Sequence, residues 1–188
     1  MQACDVSCVT NIVGCTFSAL QSTNQRAYAD FLEQHACKLI EDTYPDLYKA
    51  STSVRSPEDF MLGTVLVDVK TKCINREFSM PNLISVDRAS KILADQTRDI
   101  WYWFIDYEVH SDGTFTVTSS ELVPIWHLDW NALSIQNLGL GQIQISNWAQ
   151  LKDPAPARAF WVLNLTKRTR EFYVRLQQKL EKRIKALG

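Results

Sequence analysis

The stretch from residue 57 to residue 72 constrains this 188-residue chain more than any other. Phe60-Met61-Leu62 and Val65-Leu66-Val67-Asp68-Val69 are separated by Gly63-Thr64, and glycine in the first of two central positions is what a two-residue type II′ hairpin turn requires. The register follows from the turn. Leu62 is set opposite Val65, Met61 opposite Leu66, Phe60 opposite Val67 and Asp59 opposite Asp68. Side chains alternate along a strand, so Phe60, Leu62, Val65, Val67 and Val69 share a core face, and Asp59, Met61, Leu66, Asp68 and Lys70 share the other.

That register brings two carboxylates face to face, with Cβ atoms roughly 4.5 to 5.5 Å apart, where like charges destabilise a sheet. Lys70, on the same face, supplies one compensating charge. A hard divalent cation would supply two more while using the carboxylate oxygens as ligands. The same register sets Glu58 opposite Val69, pointing the other way, which leaves Asp59 as the first acid. The pattern therefore reads as a metal site.

Pro57-Glu58-Asp59, followed by Asp68-Val69-Lys70, resembles the signature of the PD-(D/E)xK nuclease superfamily, whose best-known members are type II restriction endonucleases. The resemblance covers about sixteen residues and is shortened at the hairpin relative to many members. It implies an α/β domain with a restriction-endonuclease-like mixed β-sheet of about five strands flanked by helices. It also implies that Asp59 and Asp68, with the Val69 carbonyl, hold Mg²⁺, and that Lys70 orients or deprotonates the attacking water. In this family a helix before the hairpin sometimes adds an acid. Asp30, Glu33 and Glu41 are available for that role, with Glu33 favoured because it lies beside the apolar stripe of its helix. The implied function is a Mg²⁺-dependent endonuclease cutting double-stranded DNA, of the sequence-specific restriction type and acting as a homodimer. Repair nickases, homing nucleases, junction nucleases and non-catalytic DNA-binding or interaction domains share the motif or fold and remain alternatives.

Composition places the whole chain, residues 1–188, in a single globular domain, since 46% hydrophobic and 22% charged residues are ordinary proportions. The net charge of −1 gives no overall pull toward nucleic acid, but residues 167–188 hold eight Lys or Arg against two Glu. Five cysteines, with no C-x-x-C pair, read as reduced thiols of a cytoplasmic protein, and no apolar run is long enough for a membrane span. Cys4, Cys8 and Cys15 cluster without a nearby fourth metal ligand.

Taken in order, residues 1–23 read as an arm or short helix, and 24–43 as a helix capped from Ser22-Thr23-Asn24 and ended by Tyr44-Pro45. Residues 46–56 form a polar connection in which Arg55 is a candidate phosphate contact. After Lys72, Asn75, Arg76, Asn82 and Arg88 are candidate DNA contacts, because the segment after the catalytic strand commonly approaches DNA in restriction endonucleases. The spacing of Ile84, Ala89, Ile92 and Leu93 predicts a helix over about 83–96. Ile100–Val109 reads as a central strand, returned through Ser111-Asp112-Gly113 to a partner strand over 114–119, with 122–126 a further short strand. His127 and Asp129 lack a nucleophile motif to serve. The glycines near 139–141 match no phosphate-binding fingerprint. Gln142 and Gln144 alternate with Ile143 and Ile145 on an expected edge strand and are candidate readers of adenine edges. The last segment predicts a strand over 159–165 and then a basic amphipathic helix over 167–187.

Overall fold

The computed structural model describes residues 11–20, 24–53, 56–77, 79–137, 141–155 and 157–187. Arg55, Cys4 and Cys8 lie outside the described residues. The chain forms two compact units, one built from Met1–Ser79 and Thr97–Ile125, the other from Met80–Gln96 and Trp126–Gly188.

The first unit contains β1 (Thr16–Phe17), α1 (Gln25–Thr43), β2 (Tyr48–Ala50), β3 (Phe60–Leu62) and β4 (Val65–Cys73). The second unit takes up the chain with β5 (Asn82–Ser85) and α2 (Val86–Ala94), and the first resumes with β6 (Asp99–Val109) and β7 (Phe115–Pro124). The second closes the chain with β8 (Leu133–Gln136), β9 (Gln142–Ile145) and α3 (Arg158–Lys185).

In the first unit six strands form one mixed sheet in the order β1-β7-β6-β4-β3-β2. Only β4 and β6 run parallel; the other neighbours are antiparallel. A parallel pair needs a long crossover, which residues 74–98 supply. This is the mixed α/β architecture expected from the sequence. The 46–56 connection contains one strand that the sequence did not suggest, β2, held beside the hairpin by the Gly63 amide donating to the Leu47 carbonyl at 2.9 Å.

Helix α1 begins where expected: the Asn24 side chain accepts from the Arg26 amide at 2.9 Å, and the Tyr44 amide closes the other end on the Ile40 carbonyl. Its buried residues Tyr28, Leu32, Ala36 and Ile40 recur every fourth position, so one stripe of the helix meets the sheet. They join a core with Phe60, Val67, Val69, Trp103, Ile105, Tyr107, Phe115 and Val117. Burial of each large side chain contributes about 1.5 to 3 kcal/mol. The Trp103 indole donates to Ser120 Oγ at 2.8 Å and ties β6 to β7. The piece expected as a separate strand near 122 is the end of β7, which runs on to Pro124 before a single 3₁₀ turn over Ile125–His127.

In the second unit β5, β9 and β8 form a three-stranded antiparallel sheet. The helix expected from residue 83 starts at Val86 instead. Leu83 and Ile84 are both buried in β5, and the start signal lies at Ser85, whose hydroxyl caps the Arg88 amide at 3.3 Å with Asp87 in the first turn. β9 is the central strand of this sheet, not an edge. The expected strand over 159–165 is the first two turns of α3, a continuous 28-residue helix. Phe160-Trp161-Val162 favours strand locally. Trp161, Leu165 and Phe172 can share a face only in a helix, while Phe160 and Leu163 are left 62% and 65% exposed. Trp161 fixes the result: its indole donates to the Leu128 carbonyl at 2.9 Å, and the Trp130 indole donates back to the Trp161 carbonyl at 3.1 Å. Among the described residues no helix is long and apolar enough to cross a membrane.

Candidate active site

The β3–β4 hairpin forms as the turn dictates. Phe60 pairs with Val67, Met61 with Leu66 and Leu62 with Val65. Gly63 has φ +62° and Thr64 does not have a positive φ, which excludes a type I′ turn and agrees with type II′. The paired ladder stops at Phe60, one residue short of Asp59. There the Asp59 amide donates to the Val67 carbonyl at 2.9 Å and its carbonyl accepts from the Ser51 amide at 3.2 Å. Its side chain replaces the next rung: Asp59 Oδ2 accepts from the Val69 amide at 2.6 Å. Asp59 is thus fixed against β4 by backbone and side chain together.

Asp68 lies near the middle of β4, between β3 and β6, and is only 7% exposed. Lys70 Nζ stands 2.6 Å from Asp68 Oδ2. The pairing is a close ion pair that leaves acceptor capacity on the carboxylate. Burial pushes the Asp68 carboxyl up to about 7; Lys70 pulls it down and the Asp59 charge pushes it up again. Asp59 is also raised, mainly by burial, with the Val69 amide and Lys70 acting the other way. Glu33 of α1 belongs to the same group. Its carboxyl lies close enough to hydrogen-bond Asp59, and burial together with the charges of Asp59 and Asp30 raises it against the pull of Lys70. Three acids and one ammonium therefore share one electrostatic neighbourhood. Among the described residues no three His, Cys, Asp or Glu side chains converge into a ready-made metal cage. A site for Mg²⁺ does not need one, since that ion keeps several waters and takes one or two carboxylates.

The candidate DNA contacts separate into two groups. Asn75 is exposed, but its amide nitrogen donates to the Val109 carbonyl at 2.7 Å and its oxygen accepts from Cys73 Sγ at 3.1 Å, so both ends of the side chain hold β4 to β6. Gln144 is buried and donates to Asn82 Oδ1 across the β5–β9 pair, an internal use for two residues expected to face DNA. Arg76 is exposed, with its guanidinium 5.6 Å from the Tyr28 ring centroid. Arg88 is exposed on α2 and Gln142 is half-buried on β9. Asp129 does not serve His127; it caps the 3₁₀ turn of Trp130–Ala132 through the Asn131 amide at 2.8 Å.

Two further residues near the acids have shielded polar atoms without a hydrogen bond, and one of them, Tyr102, carries no signal in the sequence. Tyr102 is paired with Asp68 in the parallel β4–β6 register, fully buried, with its hydroxyl lacking a hydrogen-bond partner. Burial and the Asp68 charge hold that phenol well above its ordinary range. Nothing in the apolar run around Tyr102 marks it; only the strand pairing does. Glu58, set aside by the register, has a shielded Oε2 without a hydrogen bond.

No protein-family profile matches the chain, and no curated protein matches it in sequence. Its fold does match solved structures, among them the NlaIV restriction endonuclease, with a TM-score of 0.52 and 15% sequence identity over 76% of this chain. The chain spans 63% of that enzyme's chain. At such low identity the likeness is one of fold. The architecture is a restriction-endonuclease-like α/β fold, with its mixed sheet carrying Asp59, Asp68 and Lys70 on the β3–β4 hairpin.

Proposed function

We propose that this chain is a Mg²⁺-dependent endonuclease that hydrolyses phosphodiester bonds in double-stranded DNA, of the sequence-specific restriction type and acting as a homodimer. The observation that carries it is a buried carboxylate in the middle of the sheet, Asp68, which feels the charge of Asp59 and has Lys70 Nζ 2.6 Å from its Oδ2. Buried acids that share a single ammonium are costly in a structural role, and a hard cation offsets the excess negative charge.

The donor set fits such an ion. Asp68 and Asp59 would supply carboxylate oxygens, and the Glu33 charge is felt at Asp68. A strand residue presents its N–H and C=O toward the same neighbour, so the Val69 carbonyl faces the side where Asp59 takes the Val69 amide. Mg²⁺ held there would supply Lewis acidity and lower the pKa of a bound water. Lys70 Nζ, only 19% exposed, would orient an attacking water by donating to its oxygen and would stabilise negative charge on the phosphate oxygens. Asp59, held by the Val69 amide, stays in position while the charge changes around it. Two active sites related by a two-fold axis would cut the two antiparallel strands of a palindrome.

Incubation of supercoiled plasmid with wild type and Asp68→Ala, with and without Mg²⁺, tests the proposal. Cutting that needs the metal and is abolished in the variant is expected. Uncut DNA under every condition, or equal cutting by the variant, overturns it.

A further inference from the structure

In the second unit a groove of about 430 Å³ runs between β8 and α3. One wall is basic: Arg168, Arg175 and Lys179 lie along α3 at intervals of seven and four residues. At 1.5 Å rise per residue these charges are about 10 Å and 6 Å apart along the axis, a track of roughly 17 Å. One DNA strand carries a phosphate about every 3.4 Å of duplex axis, so such a track parallels about five phosphates. The other wall sets Ser134, Gln136 and Asn137 among the apolar Leu133 and Ile135, with Gln136 Nε2 donating to Ser134 Oγ at 3.1 Å. Glu171 is the one acid in the lining, which leaves a net charge of +2.

We infer that this β8–α3 groove binds the sugar-phosphate backbone of nucleic acid and supplies sequence-independent affinity for the duplex; the inference rests on the nuclease reading above. An exposed basic helix face is by itself ordinary, and two features set this one apart. Arg168 is half-buried with its guanidinium 5.4 Å from the Trp130 ring centroid, so its position is set before a ligand arrives and less side-chain entropy is given up on binding. The positive charges also face a wall that includes neutral donors and acceptors, the mixture that phosphate and sugar oxygens engage. The positive charge continues past the groove, since Lys182, Arg183 and Lys185 occupy the last turn of α3.

The test measures binding of a fluorescent 20-base-pair duplex by the full chain in EDTA, from about 50 to 200 mM salt, for wild type and Arg175→Gln/Lys179→Gln. Every phosphate left without its neutralising cation reduces the slope of log affinity against log salt by about 0.9, so the double variant is expected to be shallower by about two, and tenfold or more weaker at low salt. Both positions are exposed, and an unchanged melting temperature confirms that the fold is intact; Arg175→Lys should recover the slope. A double variant with unchanged affinity and slope, a wild type that binds no duplex, or a wild type that prefers poly-glutamate to DNA overturns the inference. A wild type that binds duplex through this groove but never cuts it leaves the groove standing and removes the nuclease reading instead.

Discussion

Lys70 Nζ lies 2.6 Å from Asp68 Oδ2 on the same face of β4, and the pair is mostly withdrawn from water. An ion pair so placed gains Coulomb energy but bears a desolvation cost, and Asp68 shows which prevails, since its carboxyl rises to about 7 despite the adjacent ammonium. The folded protein without metal therefore holds a proton that the unfolded chain releases near the ordinary carboxylate value.

The first consequence is a pH dependence of stability. Between roughly pH 4 and pH 7 the folded state binds more protons than the unfolded state, so stability falls as pH rises, and the loss is complete once pH passes the folded value. Asp59 and Glu33 are raised too and act in the same direction. Urea denaturation in EDTA should show wild type less stable at pH 8 than at pH 5 by a few kcal/mol, and Asp68→Asn should flatten most of that difference. Added Mg²⁺ should raise the melting temperature more at pH 8 than at pH 6, because its ligands must be ionised. A wild type more stable at pH 8 than at pH 5 in EDTA would contradict this.

Lys70→Met separates chemistry from binding. The variant should bind duplex DNA with wild-type affinity and cleave it about 10² to 10⁴ times more slowly. Removing the ammonium also lifts Asp68 further, so the rising limb of the pH–rate profile should move to higher pH. Unaltered cleavage would show that Lys70 has no part in the reaction.

Asp59 has two roles, and two substitutions distinguish them. Asp59→Asn keeps an oxygen to accept the Val69 amide but loses the charge, so its melting temperature in EDTA at pH 8 should be at or above wild type while metal-dependent cleavage disappears. Asp59→Ala leaves the Val69 amide without its partner and should cost a further 1 to 3 kcal/mol, roughly. Equal stability of the two variants would mean that the bond between Asp59 Oδ2 and the Val69 amide does not hold the loop to β4.

Trp161 anchors the first turns of α3 to Leu128 and Trp130. Trp161→Phe removes one buried hydrogen bond and should cost about 1 to 3 kcal/mol, whereas Trp161→Ala also opens a cavity and should cost about 3 to 5 kcal/mol. Chemical denaturation of both variants checks the order.

The hairpin was legible because one residue pair, Gly63-Thr64, sets the turn, and the turn sets every register pair as far as Phe60–Val67. Helix α1 was legible because its cap, its four-residue stripe and its terminating Tyr44-Pro45 agree. The start of α3 was not, since Phe160-Trp161-Val162 has strand propensity and the bonds that override it come from Leu128 and Trp130, more than thirty positions away. Gln144 shows the same limit. Its alternation with Ile143 and Ile145 was visible, but its burial depends on Asn82, 62 residues earlier, and on β9 having a strand on each side. In the candidate site, the grouping of Asp59, Asp68 and Lys70 on one hairpin could be read from a motif and a register. Tyr102 could not, because its place beside Asp68 exists only once β4 and β6 pair in parallel.

The most direct measurement is anomalous diffraction from a crystal of the protein soaked in Mn²⁺ near pH 8. A metal-binding hairpin requires a peak within about 2.0 to 2.6 Å of carboxylate oxygens from both Asp59 and Asp68, the range of oxygen ligands to hard divalent cations. Density empty between those two carboxylates at saturating metal, with Asp68 still held by Lys70 alone, would contradict it.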